Sequence, residues 1–393
     1  LRGINWIKFL SINKIHEDEI DQCLYKQYKI LESNLEYHIL ANHLLENAFS
    51  LLFGAYYFQS YSFYRKAKKL LMAQLSEQIL LDGAHYERSP MYHQILLFRL
   101  LDTINLVQNN PWQSKELLEE LEAVAQSMLS WLGMMTFRNG EIPYLKDATK
   151  GIAPNTQELF DYAKLLSVDW EKDISLSDSG YRKFSNEGVE LIVDAGGITP
   201  SYQPGHAHAD ELNFVLNLKG KPFIVDVGIS TYEKNQRRQL ERSTISHNCV
   251  SFGNHNSSKV WGGFRVATRA KVRLLDDSAS EIEAKHTGFE KKGLSVKRKF
   301  SVSQSAICIE DVLSGDSSVI ENTASTLHFH PDVQLKISGN DIYADSIRIK
   351  LVGFRSFTLE SYEYACGFNR LMGAKKLVLK PSETNQIEIQ YAD

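Results

Sequence analysis

Between residues 202 and 214 the chain reads YQPGHAHADELNF, with His206, His208 and Asp210 at alternate positions. In an extended segment alternate side chains share a face, so two imidazoles and a carboxylate would line one side, continued by Leu212 and Phe214. Imidazole titrates near neutral pH and binds metals, so the triplet suits proton transfer or ligation as well as a plain exposed strand start. A second polar group interrupts a helical run in ANHLLENAF, where Asn42, His43 and Glu46 stand three and four residues apart and share one helical face. Each buried polar group without a partner costs about 1–3 kcal/mol, so these three must either bond one another or face a cleft.

A third cluster lies in LLDGAHYERSPMYHQILL, residues 80–97. A helix junction needs only Asp82–Gly83 to stop one helix, and Ser89 as N-cap with Pro90 to start the next. His85, Tyr86, Glu87, Arg88, Tyr92 and His93 are more chemistry than a turn requires.

The elements that must carry these residues fall into two halves. Up to about residue 168 the apolar spacing is helical, as in EDEIDQCLYKQYKILES with its acidic first turn, and in the nearly all-apolar EYHILANHLLENAFSLLFGAYYF. SFYRKAKKLLMAQLSEQILL and SKELLEELEAVAQSMLSWLGMM continue the pattern, so this half is a bundle, ring or solenoid of helices. From GVELIVDAGG onward the period becomes two. ELNFVLNLKGKPFIVDVG reads as two strands about a turn at Lys219–Lys221, and VRLLDDSASEIEAKHTG and LKISGNDIYADSIRIKLVG read as hairpins with Asp, Ser, Gly and Asn turns. About ten such strands, closed by LVLKPSETNQIEIQYAD, predict a large antiparallel β-sandwich. The expected domains are 1–170, all helical, and 171–393, all β.

The 393 residues suffice for two cored domains, and 43% hydrophobic with 23% charged residues is ordinary for a globular protein. A net charge of −4 gives no general field for nucleic acid, and no apolar run approaches the ~20 residues of a membrane span. Cys23, Cys249, Cys308 and Cys366 are scattered, forming neither a disulfide framework nor a cysteine zinc site. The opening LRGINWIKFL reads as an amphipathic helix, not a signal peptide, which leaves periplasm and cytoplasm of a bacterium both open. Oligomeric state leaves no sequence trace.

Taken in order, NHLLEN, DGAHYERSPMYH, PGHAHADELNF and STISHNCVSF…VWGGFRV resemble the heparinase II/III family of bacterial polysaccharide lyases, and alginate lyases of similar build. The resemblance runs from Trp6 to the final strands. It implies an α+β multidomain fold: an N-terminal incomplete α/α toroid followed by a C-terminal antiparallel β-sandwich, with the active site in the cleft between them. It also implies cleavage of an anionic uronate-containing polysaccharide by β-elimination at C5 and C4.

On this resemblance Asn42 and His43 match the pair that neutralises the uronate carboxylate, with Glu46 orienting His43 and Arg88 as a second carboxylate contact. Tyr92 matches the catalytic tyrosine and His206 its histidine partner. A phenol is a poor base unless nearby positive charge or donors lower its pKa. Tyr232 in DVGISTYEK matches a second tyrosine. His208, Asp226 and His247 match a zinc set, which would be structural and pin the loop that presents His206; no organic cofactor is implied. Asp210 is expected to stabilise that loop. Trp261 would stack on a sugar or pack in the core, Arg242 and Arg265 would meet anionic sugar or form ion pairs, and His328 and His330 would pack. Two other readings stand beside the lyase. One is a glycoside hydrolase drawing on Asp82, Glu87 or Asp210. The other is a catalytically silent glycan-binding or capsule and exopolysaccharide assembly protein.

Overall fold

A computed structural model describes residues 1–113, 115–338 and 341–391. Two compact units emerge, and neither is a continuous stretch of chain. The first comprises Leu1–Tyr86, His93–Gly133 and Pro154–Ile174; the second comprises Glu87–Tyr92, Met134–Ala153 and Ser175–Asp393. Two short segments of the helical sequence therefore fold with the β half.

The helices are α1 (Arg2–Asn13), α2 (Asp18–Ser33), α3 (Ala41–Tyr57), α4 (Tyr61–Gln78), α5 (Pro90–Gln108), α6 (Glu116–Met135) and α7 (Thr156–Leu165), all in the first unit except the first three residues of α5 and the last two of α6. Asp18, Glu19 and Asp21 favour the positive N-terminal end of α2, and Asn155 with Glu158 closes a capping box on α7. Helix α3 buries thirteen residues from Ala41 to Tyr56, as its nearly continuous apolar character requires. It starts later than the periodicity predicts: Leu40 and Ala41 have φ of 64° and 52°, which breaks the chain between Glu36 and the helix. Ser114, expected at the head of α6, lies outside the described residues.

Among the described residues the second unit holds two large antiparallel sheets and a separate two-stranded ribbon. The smaller runs in order β1 (Tyr181–Ser185), β2 (Val189–Asp194), β3 (Phe214–Leu218), β4 (Lys221–Ile224). Between β3 and β4 the turn residues Lys219 and Gly220 have φ of 51° and 74°, the paired left-handed geometry that suits a tight hairpin. After the short helix α8 (Gln236–Glu241) come β5 (Val250–Phe252), the hairpin β6 (Lys259–Trp261) and β7 (Arg265–Ala267), β8 (Val272–Asp277), β9 (Glu281–His286), β10 (Ser295–Val302) and β11 (Ala306–Ser314). Helix α9 (Ser317–Glu321) leads to β12 (Thr323–His328), β13 (Leu335–Ser338), β14 (Asp341–Ala344), β15 (Ile347–Gly367) and β16 (Arg370–Gln390).

The larger sheet runs β13-β14-β15-β16-β11-β10-β9-β8, with β12 pairing both β16 and β5. Leu191, Val193, Phe214 and Leu216 of the small sheet share one core with Ile307, Ile309, Leu377 and Ile387 of the large one, which makes the sandwich. The turn expected at Gly339–Asn340, and the last two residues of the closing segment, lie outside the described residues. No described helix is long and apolar enough to cross a membrane.

Candidate functional site

Residues 202–213 are not a strand. They form an irregular loop, and β3 begins only at Phe214. Strand alternation therefore does not orient His206 and His208; a shared carboxylate does. His206 donates from Nδ1 to Asp147 Oδ2 at 2.8 Å, and His208 donates from Nε2 to Asp147 Oδ1 at 2.8 Å. The Arg238 guanidinium grips the same carboxylate with both terminal nitrogens, at 2.5 and 2.6 Å. Asp147 is wholly buried. Burial opposes its ionisation, but Arg238 and the two histidines outweigh that and hold its carboxyl well below the usual range.

Ser89 ties this hub to Tyr92. Its hydroxyl caps α5 by accepting from the Tyr92 N–H at 3.5 Å, and it donates to the Asp147 carbonyl at 3.0 Å. The Tyr92 ring lies stacked on His206, centroids 3.8 Å apart, and its hydroxyl meets that of Tyr232 at 3.2 Å. Tyr232 in turn has the Arg238 guanidinium over its ring at 5.1 Å and Phe264 against its edge at 5.2 Å. Glu87, buried, sets a carboxylate oxygen 3.8 Å from His206 Nε2. Thus Tyr92, His206 and Tyr232, matched by resemblance alone, stand together in one unit, half-buried over a fully buried charged base.

Burial pulls the His206 pKa down, but Glu87 and Asp147 more than compensate, so it sits above its ordinary value. With Nδ1–H committed to Asp147, the neutral ring keeps its lone pair on Nε2. Tyr92 behaves opposite to the expectation for a lowered phenol. Burial pushes it up to about 12, against the weaker opposing pull of the Tyr232 hydrogen bond. Burial and Asp147 likewise push Tyr232 up.

Two expected substrate contacts are corrected. Arg88 is 2% exposed and pairs with Asp194, donates to the Gly197 carbonyl at 2.5 Å, and lies over the Tyr181 ring at 4.8 Å. A Cβ on Gly196 would come within 2.3 Å of its guanidinium, so the residue there must be glycine for Arg88 to fit. Lys146 continues the buried network, reaching Asp194 at 2.7 Å and also Asp210, which takes the loop-stabilising part expected of it. Arg88 and Lys146 both hold left-handed backbone, with φ of 58° and 57°, a strain the network offsets. Arg242 is wholly buried and spends its donors on the carbonyls of Ala207 and Gly263. With three of its five N–H groups it clamps the histidine loop to the β6–β7 hairpin, and its complete burial keeps it from a sugar. Trp261, on β6, is 47% exposed and lies under Arg265, free to offer a face to a ring.

His208, Asp226 and His247 also gather in the buried interior of this unit. The His208 and His247 rings are 5.3 Å apart, and His247 donates from Nδ1 to Asp226 Oδ2 at 2.8 Å. His208 Nδ1 and His247 Nε2 are left as buried lone pairs without a hydrogen-bond partner. Two carboxylate-oriented imidazoles with bare nitrogens suit a metal in chemical type. Asp226 is occupied otherwise, accepting from Asn213 and His247 on one oxygen and from the Gly228 N–H on the other. Among the described residues no three His, Cys, Asp or Glu side chains are arranged to hold a metal ion. His328 packs as expected, against Tyr362 and Asn248, and His330 packs against Tyr364.

In the helical unit Asn42 and His43 occupy the first turn of α3, where free backbone N–H groups favour a negative charge. Gln78, buried, holds that turn by donating to the Ala41 carbonyl at 2.9 Å and is braced by Gln74 and His85. Glu46 does not orient His43. It pairs with Arg99 at 3.2 Å, while His43 has Glu36 3.7 Å away. The reason is position on the helix: His43 is in the first turn beside the preceding loop, and Glu46 is a turn further in beside α5.

The fold and this site place the chain in a known family. Its residues 3–169 match the family model "Heparinase II/III N-terminus" and residues 171–391 match "Heparinase II/III-like, C-terminal". The chain belongs to the heparinase II/III family. No curated protein matches it by sequence. Among solved structures, heparinase III aligns with a TM-score of 0.74 at 14% identity, covering 100% of this chain and 69% of that one. A second heparinase III gene product aligns at 0.71 and 17%, covering 94% and 62%, and heparan sulfate lyase HepC from Pedobacter heparinus at 0.69 and 17%, covering 95% and 63%. The chain thus shares their fold of α/α toroid and β-sandwich while spanning about six tenths of the length of the last two.

Proposed function

We propose that the chain is a polysaccharide lyase that cleaves next to a uronic acid by β-elimination. The observation that supports this best is the Tyr92–His206 stack: a histidine whose Nδ1–H is fixed on a buried carboxylate, beside a phenol kept protonated by burial. These are a base and an acid at one place.

In the proposed reaction His206 Nε2 takes the C5 proton. The C5–H electrons form the C4=C5 double bond as the C4–O bond breaks, and the Tyr92 hydroxyl gives its proton to the departing oxygen. Proton exchange with solvent then restores both groups. Asp147 and Glu87 stabilise the imidazolium that forms, and the Tyr92 ring face favours a cation beside it. The C5 proton is acidic enough only when the neighbouring carboxylate is neutralised, which we assign to Asn42 and His43. Tyr232 holds the Tyr92 hydroxyl in place. His208 Nδ1 and His247 Nε2 would hold a zinc ion that pins the loop behind His206, with Asp226 orienting His247 instead of binding the metal; the ion's contribution would be structural, and no proton step depends on it. No organic cofactor is required.

A panel of uronate polymers incubated with the protein, followed by ultraviolet absorbance of the conjugated unsaturated product, tests this. The expected result is an absorbance rise that Tyr92→Phe abolishes and Asn42→Ala weakens. New reducing ends without absorbance would make the protein a glycoside hydrolase. Binding with neither signal would make it a glycan-binding or exopolysaccharide assembly protein.

A further inference from the structure

The long β15–β16 hairpin ends at the turn Phe368–Asn369, between the paired residues Gly367 and Arg370. Asn369 takes φ of 56°, a left-handed position asparagine tolerates well. This tip does not hang free. The Asn369 N–H donates to the Ser230 carbonyl at 2.8 Å, the Ala365 N–H to Val227 at 2.9 Å, and Arg237 reaches back to the Glu363 carbonyl at 2.9 Å. On the other side Glu241 of α8 accepts from both the Ser230 N–H and its hydroxyl. The Ser230–Tyr232 segment is therefore held between α8 and the hairpin tip.

From that tip Phe368 sets its ring edge-on to Tyr232, centroids 4.9 Å apart and planes 71° to each other. Phe264, at the tip of the β6–β7 hairpin, meets the same ring at 5.2 Å and 61°. Two hairpin tips thus fix one phenol whose hydroxyl lies on that of Tyr92. Phe264 also stands 6.1 Å from His206 and under Arg238, so it belongs to the site itself. Among the described residues Phe368 makes its ring contact to Tyr232 alone, and through it reaches the reacting pair.

We propose that Phe368, carried by the β15–β16 hairpin, is a positioning residue for Tyr232 and through it for the Tyr92 hydroxyl. Its catalytic consequence rests on the lyase reading above; its structural consequence does not. Removing the ring frees the Tyr232 side chain to tilt, and a displacement of about 1 Å in a catalytic group can cost roughly 10²-fold in rate. Because Phe368 does not contact the polymer in this scheme, turnover falls and KM does not.

The experiment compares wild type, Phe368→Ala and Phe368→Tyr in two measurements. Hydrogen–deuterium exchange of residues 229–232 is read first, alongside the melting temperature. On a uronate polymer that wild type cleaves, kcat and KM are read second. The expected result is faster exchange confined to that segment in Phe368→Ala, and kcat down by at least ~10-fold with KM within about twofold. Phe368→Tyr, which keeps the ring, restores both. Wild-type exchange together with wild-type kcat in Phe368→Ala would overturn the proposal. So would a loss that Phe368→Tyr fails to restore, or a rise in KM alone. A wild type inactive on every polymer would instead remove the lyase reading, and the exchange measurement would then decide the positioning claim by itself.

Discussion

His206 and Tyr92 lie ring on ring, 3.8 Å between centroids and 27° between planes, while Asp147 holds the far edge of the imidazole. The bond to Asp147 leaves the lone pair on Nε2, and the stack places a phenol beside the same ring. It also separates two contributions a mutation can remove: the ring that packs and the hydroxyl proposed as the acid.

Tyr92→Phe keeps the ring and deletes the hydroxyl. Turnover should drop by at least ~10²-fold, the usual worth of a positioned proton donor. The melting temperature should stay within about 2 °C, because only the contact to Tyr232 is lost. Steady-state kinetics beside a thermal melt checks both, and full activity would remove Tyr92 from the chemistry.

Asp147→Asn leaves a hydrogen-bonding group but no charge. His206 loses the partner that fixes its tautomer and steadies its cationic form, so turnover should fall by roughly 10²–10⁴-fold. Arg238 is left buried without its carboxylate, at a cost of about 3–5 kcal/mol that urea unfolding would register. A variant destabilised but fully active would show that Asp147 only supports the fold.

Arg88→Met tests whether that guanidinium meets substrate. The buried pair with Asp194 predicts a stability loss of about 3–5 kcal/mol. The KM of the folded fraction should not move. A raised KM with unchanged stability would return Arg88 to the binding surface.

His93 makes stability depend on pH. Its Nδ1 accepts from the His85 N–H and its Nε2–H donates to the Met128 carbonyl, so the buried ring is satisfied only when neutral. Burial lowers its pKa from 6.5 to about 4. A folded-state pKa below the unfolded one means the stabilisation is complete above about pH 6.5 and is lost as pH falls through about 4, amounting to about 3 kcal/mol. Urea unfolding across that window should show the loss in wild type and a flatter profile in His93→Gln.

For the metal, elemental analysis of wild type and His208→Ala is direct. About one zinc per chain in the first and none in the second is expected. Equal content in both, or none in wild type, would end the assignment.

What could be read from the residues alone was chemical type, and what could not was partnership across distance. His206, Tyr92 and Tyr232 carried their chemistry in motifs, and the change of period from helical to alternating marked the two kinds of unit. Asp147 sits in the unremarkable link PYLKDATKG, 59 residues before the histidine it orients, and nothing local distinguishes it from a solvated loop acid. Arg88 suits a sugar carboxylate and a protein carboxylate equally, and its actual partner is 106 residues away. The apolar run into α3 hid the left-handed break at Leu40 and Ala41, since leucine and alanine give no warning of it. Period two was legible at residues 347–353 and 377–390, but not that the stretch between continues it into two 21-residue strands whose turn reaches Tyr232.

Because Glu87–Tyr92 and Met134–Ala153 fold with the sheets, the polypeptide changes allegiance five times, after residues 86, 92, 133, 153 and 174. Severing it at residue 170 would give a carboxyl-terminal piece that owns His206 yet lacks both Asp147 and Tyr92. Swapping such pieces between relatives would hand over an imidazole stripped of its counter-ion and its phenol. Made by itself, the carboxyl-terminal piece should therefore be unable to carry out the proposed elimination even where it folds.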